Sequence, residues 1–163
     1  MLKRYFAIAL ASAVTAAFVA GCATGPRPVS IADTLAAQAQ LSTLNSLVAK
    51  AGLTDTLKAG GPFTVFAPTN EAFAKVPTKT LETLASDPAK LKAVLSYHVL
   101  PVKVMAADVK NGNSKTLNGA NVALSKAGNF VTVEEALVTT PDIGATNGVV
   151  HVVDSVLLPP ASR

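Results

Sequence analysis

Few side chains in this sequence could hold a metal ion or activate a nucleophile. Cys22, His98 and His151 are the only cysteine and histidines. They match neither the Cys-x-x-Cys nor the His-Glu-x-x-His spacing of zinc sites, so no metal site is predicted. The Gly-Gly-Pro segment at 60–62 precedes a predicted strand but lacks the Gly-Lys-Ser/Thr of a phosphate-binding loop. No phosphate-binding loop is therefore predicted.

The residue types of a hydrolase are present, but the sequence does not bring them together. A nucleophile, a base and an orienting acid could come from Ser96 or Ser155, His98 or His151, and Asp154. No Gly-x-Ser-x-Gly elbow occurs, and Ser96 lies two residues from His98 on a predicted helix, where the two side chains diverge. Asp154, at a strand end, is expected to form a turn. We therefore predict that the protein is not an enzyme.

Each histidine has a structural interpretation beside the chemical one. His98 could be a base or a ligand, but it shares an apolar helical stripe with Leu91, Val94 and Leu95. His151 alternates with valines along one face of the last predicted strand. Buried histidines are normally held by hydrogen bonds to their neighbours. We therefore expect both rings to be packed inside the fold.

The first 21 residues have the pattern of a cleaved secretory signal. Lys3 and Arg4 precede an apolar run over residues 5–20 that contains no acidic residue. The run is shorter than the roughly 20 residues of a membrane-spanning helix, so an uncleaved anchor is the less favoured alternative. Residues 19–22, Val-Ala-Gly-Cys, resemble the lipobox of bacterial lipoproteins, in which the cysteine is acylated and becomes the new N-terminus.

Cys22 is therefore expected to anchor the protein in a membrane. It has no second cysteine with which to form a disulfide, and two or more acyl chains give stable anchoring. Ala23 stands where an acidic residue would favour retention in the inner membrane, so the resemblance implies the outer membrane, on its periplasmic or surface face. Residues 22–29 contain two prolines and form a predicted tether, and the folded domain is predicted over residues 30–160.

The rest of the chain has the composition of a single folded domain. The whole sequence of 163 residues is 50% hydrophobic and 15% charged. This composition predicts a buried core and argues against disorder. Loss of Lys3 and Arg4 with the signal lowers the formal net charge from +4 to about +2. The remaining charges are dispersed and are not interleaved with aromatic residues, so nucleic acid is not an expected partner.

The first half of the domain has helical periodicity. Ser30 with Asp33, and Asp87 with Pro88, are predicted to begin helices. Helices are predicted from residue 30, over 41–51, over 53–57, from 69 or 70, over 78–85 and from 88 to 98. Between them, the apolar run at 63–67 predicts a central strand that is buried on both faces.

The second half of the domain changes to short strands separated by turns. Asn-Gly or Gly-Asn pairs, which favour the positive φ angles of tight turns, stand at four places in this half. Strands are predicted over 115–117, 121–125, 130–133, 137–143 and 148–153. Helices from the first half that pack on an antiparallel sheet from the second make an α+β domain.

Three segments resemble the signatures of the fasciclin family, in the family's order. Residues 64–73, Thr-Val-Phe-Ala-Pro-Thr-Asn-Glu-Ala-Phe, resemble the first signature. Residues 97–101 resemble the central tyrosine-histidine motif, and residues 147–154, Asn-Gly-Val-Val-His-Val-Val-Asp, resemble the second signature. The residues assigned to these structural motifs are Thr64, Phe66, Pro68, Thr69, Asn70, Phe73, His98, Asn147, Gly148, His151 and Asp154.

The resemblance to this FAS1, or beta-Ig-H3/fasciclin, family implies a fold and a role. The fold is an antiparallel β-sandwich or wedge flanked by several short helices, and the role is adhesion without a cofactor. In animal matrix relatives, residues around the tyrosine-histidine motif and an Asp-Ile pair are linked to integrin binding. The matching residues here are Tyr97, His98, Pro141, Asp142 and Ile143. Thr140 and Gly144 replace the Glu and Met of adhesive animal domains, so the resemblance implies a surface and names no ligand.

The sequence leaves two principal functions open. The leading one is an envelope-anchored adhesion or interaction module that binds a protein or polysaccharide through exposed loops near Tyr97 and Asp142. The alternative is a periplasmic carrier of a small apolar ligand or pigment, held in a gap between helices and sheet. An aromatic content of 5% with no tryptophan favours the first function. An enzyme of unrecognised type is a third and less favoured alternative.

Overall fold

The computed structural model describes residues 29–159. The predicted signal over 1–21, Cys22 and nearly all of the predicted tether lie outside the described residues. None of the helices between residues 29 and 159 has the length and apolar character that a membrane span requires. The helices are α1 (Ile31–Ala37), α2 (Ser42–Lys50), α3 (Thr54–Ala59), α4 (Asn70–Lys75), α5 (Thr78–Ser86) and α6 (Pro88–Tyr97), with a 3₁₀ turn at Ala39–Leu41. The strands are β1 (Phe63–Pro68), β2 (Val99–Leu100), β3 (Gly112–Lys115), β4 (Asn121–Ala127), β5 (Phe130–Val133), β6 (Ala136–Ala145) and β7 (Gly148–Val153).

Polar side chains begin three of the helices at predicted positions. Ser30 caps α1, Thr69 caps α4 and Asp87 caps α6, and each accepts a hydrogen bond from a backbone N–H two or three residues later. Pro88 occupies the first turn of α6, where its missing N–H costs nothing. Helix α6 ends at Tyr97, so His98 forms the C-cap instead of the predicted last helical residue.

The seven strands form one sheet in the order β2-β1-β7-β6-β5-β4-β3. Helices and sheet together make the predicted α+β architecture. The antiparallel prediction needs one correction, because β1 and β7 run parallel along their whole length. Strands joined by a tight hairpin must be antiparallel, whereas β1 and β7 are far apart in the chain, so no turn constrains their direction.

Four predicted strands have different bounds in the structure. Strand β1 ends one residue later than predicted, and β4 ends two residues later. Strand β3 covers Gly112–Lys115 instead of 115–117, because the N–H and hydroxyl of Thr116 both bond to the carbonyl of Ala120 and close a turn there. Strand β6 is longer at both ends than the predicted 137–143.

Both faces of the central strands are covered. On one face, Val150 and Val152 of β7 pack with the apolar sides of the helices, including Ile31 and Leu95. On the other face, Val153 packs with the residues of a second cluster, which includes Phe66, Tyr97, Val122 and Val133. Every residue of β7 is therefore buried, as its nearly continuous apolar sequence requires.

Candidate functional site

The candidate site is centred on a bulge in β6. Thr140 pairs with Val152 and Ile143 pairs with Val150, so two residues of β6, at positions 141 and 142, stand opposite the single residue His151. Pro141 has no N–H to donate to the ladder, which makes a bulge a suitable place for it. The bulge lies within the segment 141–143 that was predicted to bind a partner, and it places the first two residues of that segment at the surface. Pro141 and Asp142 are exposed, and Ile143 is half-buried against the helix-side core.

The His151 side chain replaces the ladder bond that the bulge removes. Its Nδ1 accepts a hydrogen bond from the backbone N–H of Asp142 at 3.1 Å, and its Nε2 lies 2.9 Å from the carbonyl of Val104. The carbonyl can only accept, so the ring carries its proton on Nε2. Burial lowers the pKa of His151 below its usual value, and the ring is neutral at pH 7. The Phe66 ring stacks on it with centroids 5.8 Å apart.

Asp142 is held in an unusual backbone conformation. Its φ angle is +58°, in the left-handed region that Asp tolerates better than most residues. Its Oδ1 accepts a hydrogen bond from the N–H of Ala106 at 2.8 Å, which ties the loop after β2 to the bulge. Together with His151, this bond fixes the position of an exposed carboxylate. We call the surface formed by Pro141, Asp142 and Ala106 the bulge surface.

A polar cleft of about 460 Å³ begins beside the bulge surface. Thr139 and Thr140 of β6 form one side of the cleft, and Asn70 and Glu71 at the start of α4 form the other. Thr140 directly precedes Pro141 in β6, so the cleft adjoins the bulge surface. The Thr140 hydroxyl and the Glu71 carboxylate can bind other polar molecules by hydrogen bonds.

His98 lies in the interior, as the packed alternative predicted. Its Nδ1 lies 2.8 Å from the carbonyl of Val94 and its Nε2 accepts a hydrogen bond from the N–H of Leu157 at 3.0 Å. Both ring nitrogens are therefore engaged with backbone groups, and the proton is on Nδ1. Burial lowers the pKa of His98 to about 4, so this ring is neutral at pH 7.

The structure buries Tyr97, so this residue is not itself part of the exposed loops that were expected near it. Only 2% of its surface is accessible, because the ring packs in the second core cluster. Its hydroxyl lies 3.0 Å from two acceptors, the carbonyl of Asn121 and Oε1 of Glu134. Burial, reinforced by the Glu134 carboxylate, raises the pKa of Tyr97 to about 12. Whether Tyr97 or His98 influences a partner stays a prediction.

Glu134 is a residue that sequence reasoning missed. Its φ angle is +55°, and its Oε1 also accepts the backbone N–H of Ala123 at 3.0 Å. It therefore joins the turn between β5 and β6 to both β4 and α6. Glu134 and Glu135 are adjacent acidic residues in the sequence, and most such glutamates are simply solvated at the surface. The sequence around Glu134 therefore gives no signal of its role.

The hydrolase residue types are not assembled into a catalytic group. Both ring nitrogens of His98 and of His151 form hydrogen bonds with backbone atoms, so neither ring is bonded to the hydroxyl of Ser96 or Ser155. Asp154 instead accepts the N–H of Leu137 at 2.9 Å. Within residues 29–159, no group of three or more potential ligand side chains is placed to hold a metal ion.

The two asparagines of the structural motifs connect elements that are distant in sequence. Asn147 accepts the N–H of Ile31 at 2.9 Å and donates to the carbonyl of Leu57, which joins α1 and α3 to the turn before β7. Asn70 accepts the N–H of Thr43 at 3.0 Å and donates to the carbonyl of Ala39, which satisfies the start of α2.

The other motif residues fix β1 and its neighbours. Thr64 is fully buried, and its hydroxyl donates to the carbonyl of Val102 and accepts the N–H of Val104. Pro68 ends β1 and Phe73 packs into the helix-side core. Gly148 lies so close to β1 that a Cβ there would overlap the Phe63 carbonyl oxygen.

Comparison with known proteins gives a consistent result. The model of the fasciclin domain matches residues 39–159. Protein sll1483 of Synechocystis is 42% identical over 134 residues, which are 81% of this chain and 74% of that protein. Immunogenic protein MPB70 of Mycobacterium bovis is 35% identical over 157 residues, which are 90% of this chain and 80% of that protein.

The fold is similar to that of a solved structure, a FAS1 domain pair from the insect cell adhesion molecule Fasciclin I. The TM-score is 0.67, with 18% sequence identity, and the match covers 80% of this chain and 51% of the solved chain. At this identity the likeness concerns the fold alone.

Proposed function

The chain belongs to the fasciclin family, and from that membership we propose that it is a lipid-anchored adhesion or interaction module of the bacterial envelope. The family is typically a non-enzymatic adhesion module. The arrangement of the histidines supports the same role here, since both rings are neutral and bonded to backbone groups. Rings of this kind stabilise a fold and have no free nitrogen with which to move a proton.

The observation that carries the proposal is the fixed, exposed carboxylate of Asp142. A carboxylate on a rigid bulge loses little conformational entropy when a partner binds, because His151 and Ala106 already hold its backbone and one of its oxygens. Asp142 is therefore the proposed first contact of the partner, with Pro141 beside it. This assignment rests on exposure and rigidity, and Tyr97 and His98 would act only by supporting the fold.

The partner is proposed to be a protein or a polysaccharide. The polar cleft beside the bulge surface supports this choice, because the Thr140 hydroxyl and the Glu71 carboxylate that line it suit a polar partner. A partner that spans the bulge surface and the cleft would contact Asp142 at one end and Glu71 at the other.

The test compares the full chain with its Asp142→Asn variant in intact cells. The asparagine keeps an oxygen that can accept the Ala106 N–H, so the bulge is preserved while the charge is lost. Partners are cross-linked and quantified by mass spectrometry. We expect capture to fall by at least about tenfold, because a charged hydrogen bond contributes roughly 1.5–3 kcal/mol and about 1.4 kcal/mol corresponds to a factor of ten.

Asp55→Asn is the matched control, since Asp55 is an exposed aspartate in the first turn of α3 and takes no part in the bulge. Capture by this variant should equal that of the parent protein. Equal capture by the Asp142→Asn variant would refute the assignment of Asp142, and the absence of any specific partner would refute the interaction module.

Membrane anchoring is tested separately through Cys22. We propose that acylation of this residue attaches the mature chain to the outer membrane. In the Cys22→Ala variant the protein should move from the salt-washed membrane fraction to the soluble fraction, because the proposed tether has no other membrane-seeking feature. Continued membrane association would contradict the proposal, and recovery of the parent protein in inner membranes would contradict the proposed location.

The alternative role as a pigment carrier has weaker support. The apolar cavity between the helices has a volume of about 150 Å³. Pockets for ligands of drug size usually have roughly 300–1,000 Å³, so a pigment would require the helices to separate.

A further inference from the structure

A small apolar cavity lies between helices α2, α4, α5 and α6. Its volume is about 150 Å³, and nine of the eleven lining residues within 29–159 are apolar. Leu47 comes from α2, Phe73 from α4, Leu84 from α5 and Val94 from α6. The cavity is on the helix side of the sheet and is separate from the bulge surface.

The walls of this cavity offer almost no hydrogen bonds. In the part of the chain that the structure describes, Thr43 and His98 are the only polar residues that line it. One nitrogen of the His98 ring is bonded to the Val94 carbonyl and the other to the Leu157 N–H. A buried water needs two to four polar partners, and empty apolar cavities of this size in proteins remain dry and bind benzene or xenon.

Helix α5 is the wall that is held least firmly. None of its residues is buried, whereas α6 buries five, and its N-cap residue Pro77 makes no side-chain hydrogen bond. Its apolar residues Leu81 and Leu84 are only half-buried, and it packs chiefly on α6. Segments with few buried apolar contacts open most readily by local unfolding.

We propose that this cavity is a binding site for a small uncharged hydrocarbon of about the size of one aromatic ring, and that α5 moves outward to admit it. The walls select against charge and against hydroxyl groups, which would lose their bonds to water without replacement. The volume selects against two fused rings. The site shares no lining residue with the bulge surface or with the polar cleft of the proposed adhesive role.

The experiment titrates the full chain, carrying ¹³C-labelled Leu and Val methyl groups, with benzene, phenol and naphthalene. With benzene, NMR shifts should saturate and be largest at the methyls of Leu47, Leu84 and Val94, which line the cavity. Phenol and naphthalene should bind more weakly, phenol because of its hydroxyl group and naphthalene because of its size.

Two variants on α5 test the location. Leu84→Trp places a larger side chain from α5 in the cavity. It should weaken benzene binding at least about tenfold, since steric fit in an apolar pocket changes binding between similar ligands by roughly 10–200-fold. Glu82→Ala changes an exposed residue of the same helix and should leave binding unchanged.

Three results would overturn the proposal. The first is the absence of saturable shifts in the parent protein, and the second is a set of shifts spread evenly over the surface. The third is undiminished binding by a folded Leu84→Trp variant. If that variant does not fold, the order of the three ligands with the parent protein decides the question, and phenol or naphthalene binding as tightly as benzene would count against the site.

Discussion

Replacement of His98 by glutamine should flatten the pH dependence of folding stability. In the folded protein, burial lowers the pKa of His98 to about 4, from an ordinary value of 6.5. As the pH falls below 6.5, the unfolded chain binds a proton at this position while the folded chain does not. Protonation therefore favours the unfolded state, and stability declines until the folded ring also titrates near pH 4.

The size of this effect follows from the two pKa values. One pKa unit corresponds to roughly 1.4 kcal/mol, so the difference between 6.5 and about 4 corresponds to about 3 kcal/mol of unfolding free energy. Most of this loss falls between pH 6.5 and 4.5, above the pKa values of aspartate and glutamate in the unfolded chain. His98 is completely buried, so solvent screening does not reduce the effect appreciably.

Urea unfolding of the parent and the His98→Gln variant at several pH values from 7 to 4.5 measures the difference. At pH 7 the variant should be less stable by about 1–2 kcal/mol, because at least one of the two ring hydrogen bonds is lost. Between pH 7 and 4.5 the parent should lose about 2 kcal/mol more than the variant. His151, whose pKa is also lowered, contributes equally to both proteins. Equal pH dependence in the two proteins would refute the assignment of His98 as a neutral buried ring.

Two further substitutions test the fold around the site. Gly148→Ala should lower the unfolding free energy by at least about 2 kcal/mol, since its Cβ would overlap the Phe63 carbonyl. Gly144→Ala, where a Cβ meets nothing, is the control in the same strand pair, and equal stability of the two variants in urea unfolding would contradict the close approach. Tyr97→Phe should cost about 1 kcal/mol through the lost hydroxyl donor. In a spectrophotometric titration, the difference between parent and Tyr97→Phe protein should place the phenol pKa near 12, and a value near 10 would contradict both the burial of the phenol and its contact with Glu134.

The candidate site was predictable only in part. The segment at 141–143 was identified through the family resemblance, and the packed interpretation of both histidines agrees with the structure. The bond between the Asp142 N–H and the His151 ring could not be predicted, because it joins two strands through a bulge that no residue of β6 specifies by itself. Tyr97 was expected near the surface, whereas long-range packing on β4 and β5 buries it.

The sequence alone determined the features that depend on residues a few positions apart. Asp87 and Pro88 begin α6, Ser30 begins α1, and the strands at 130–133 and 148–153 have the predicted bounds. Caps, turns and alternation act over short distances, so the chain carries their full description.

Only the tertiary structure decided what depends on segments that are far apart in the chain. It set the parallel pairing of β1 with β7, the bulge that exposes Asp142, the role of Glu134 and the cavity beneath α5. Each of these features depends on how helices and strands from distant parts of the chain pack together in one interior. The same local sequence could satisfy other partners and other directions, and the choice among them is made by the packing of the whole domain.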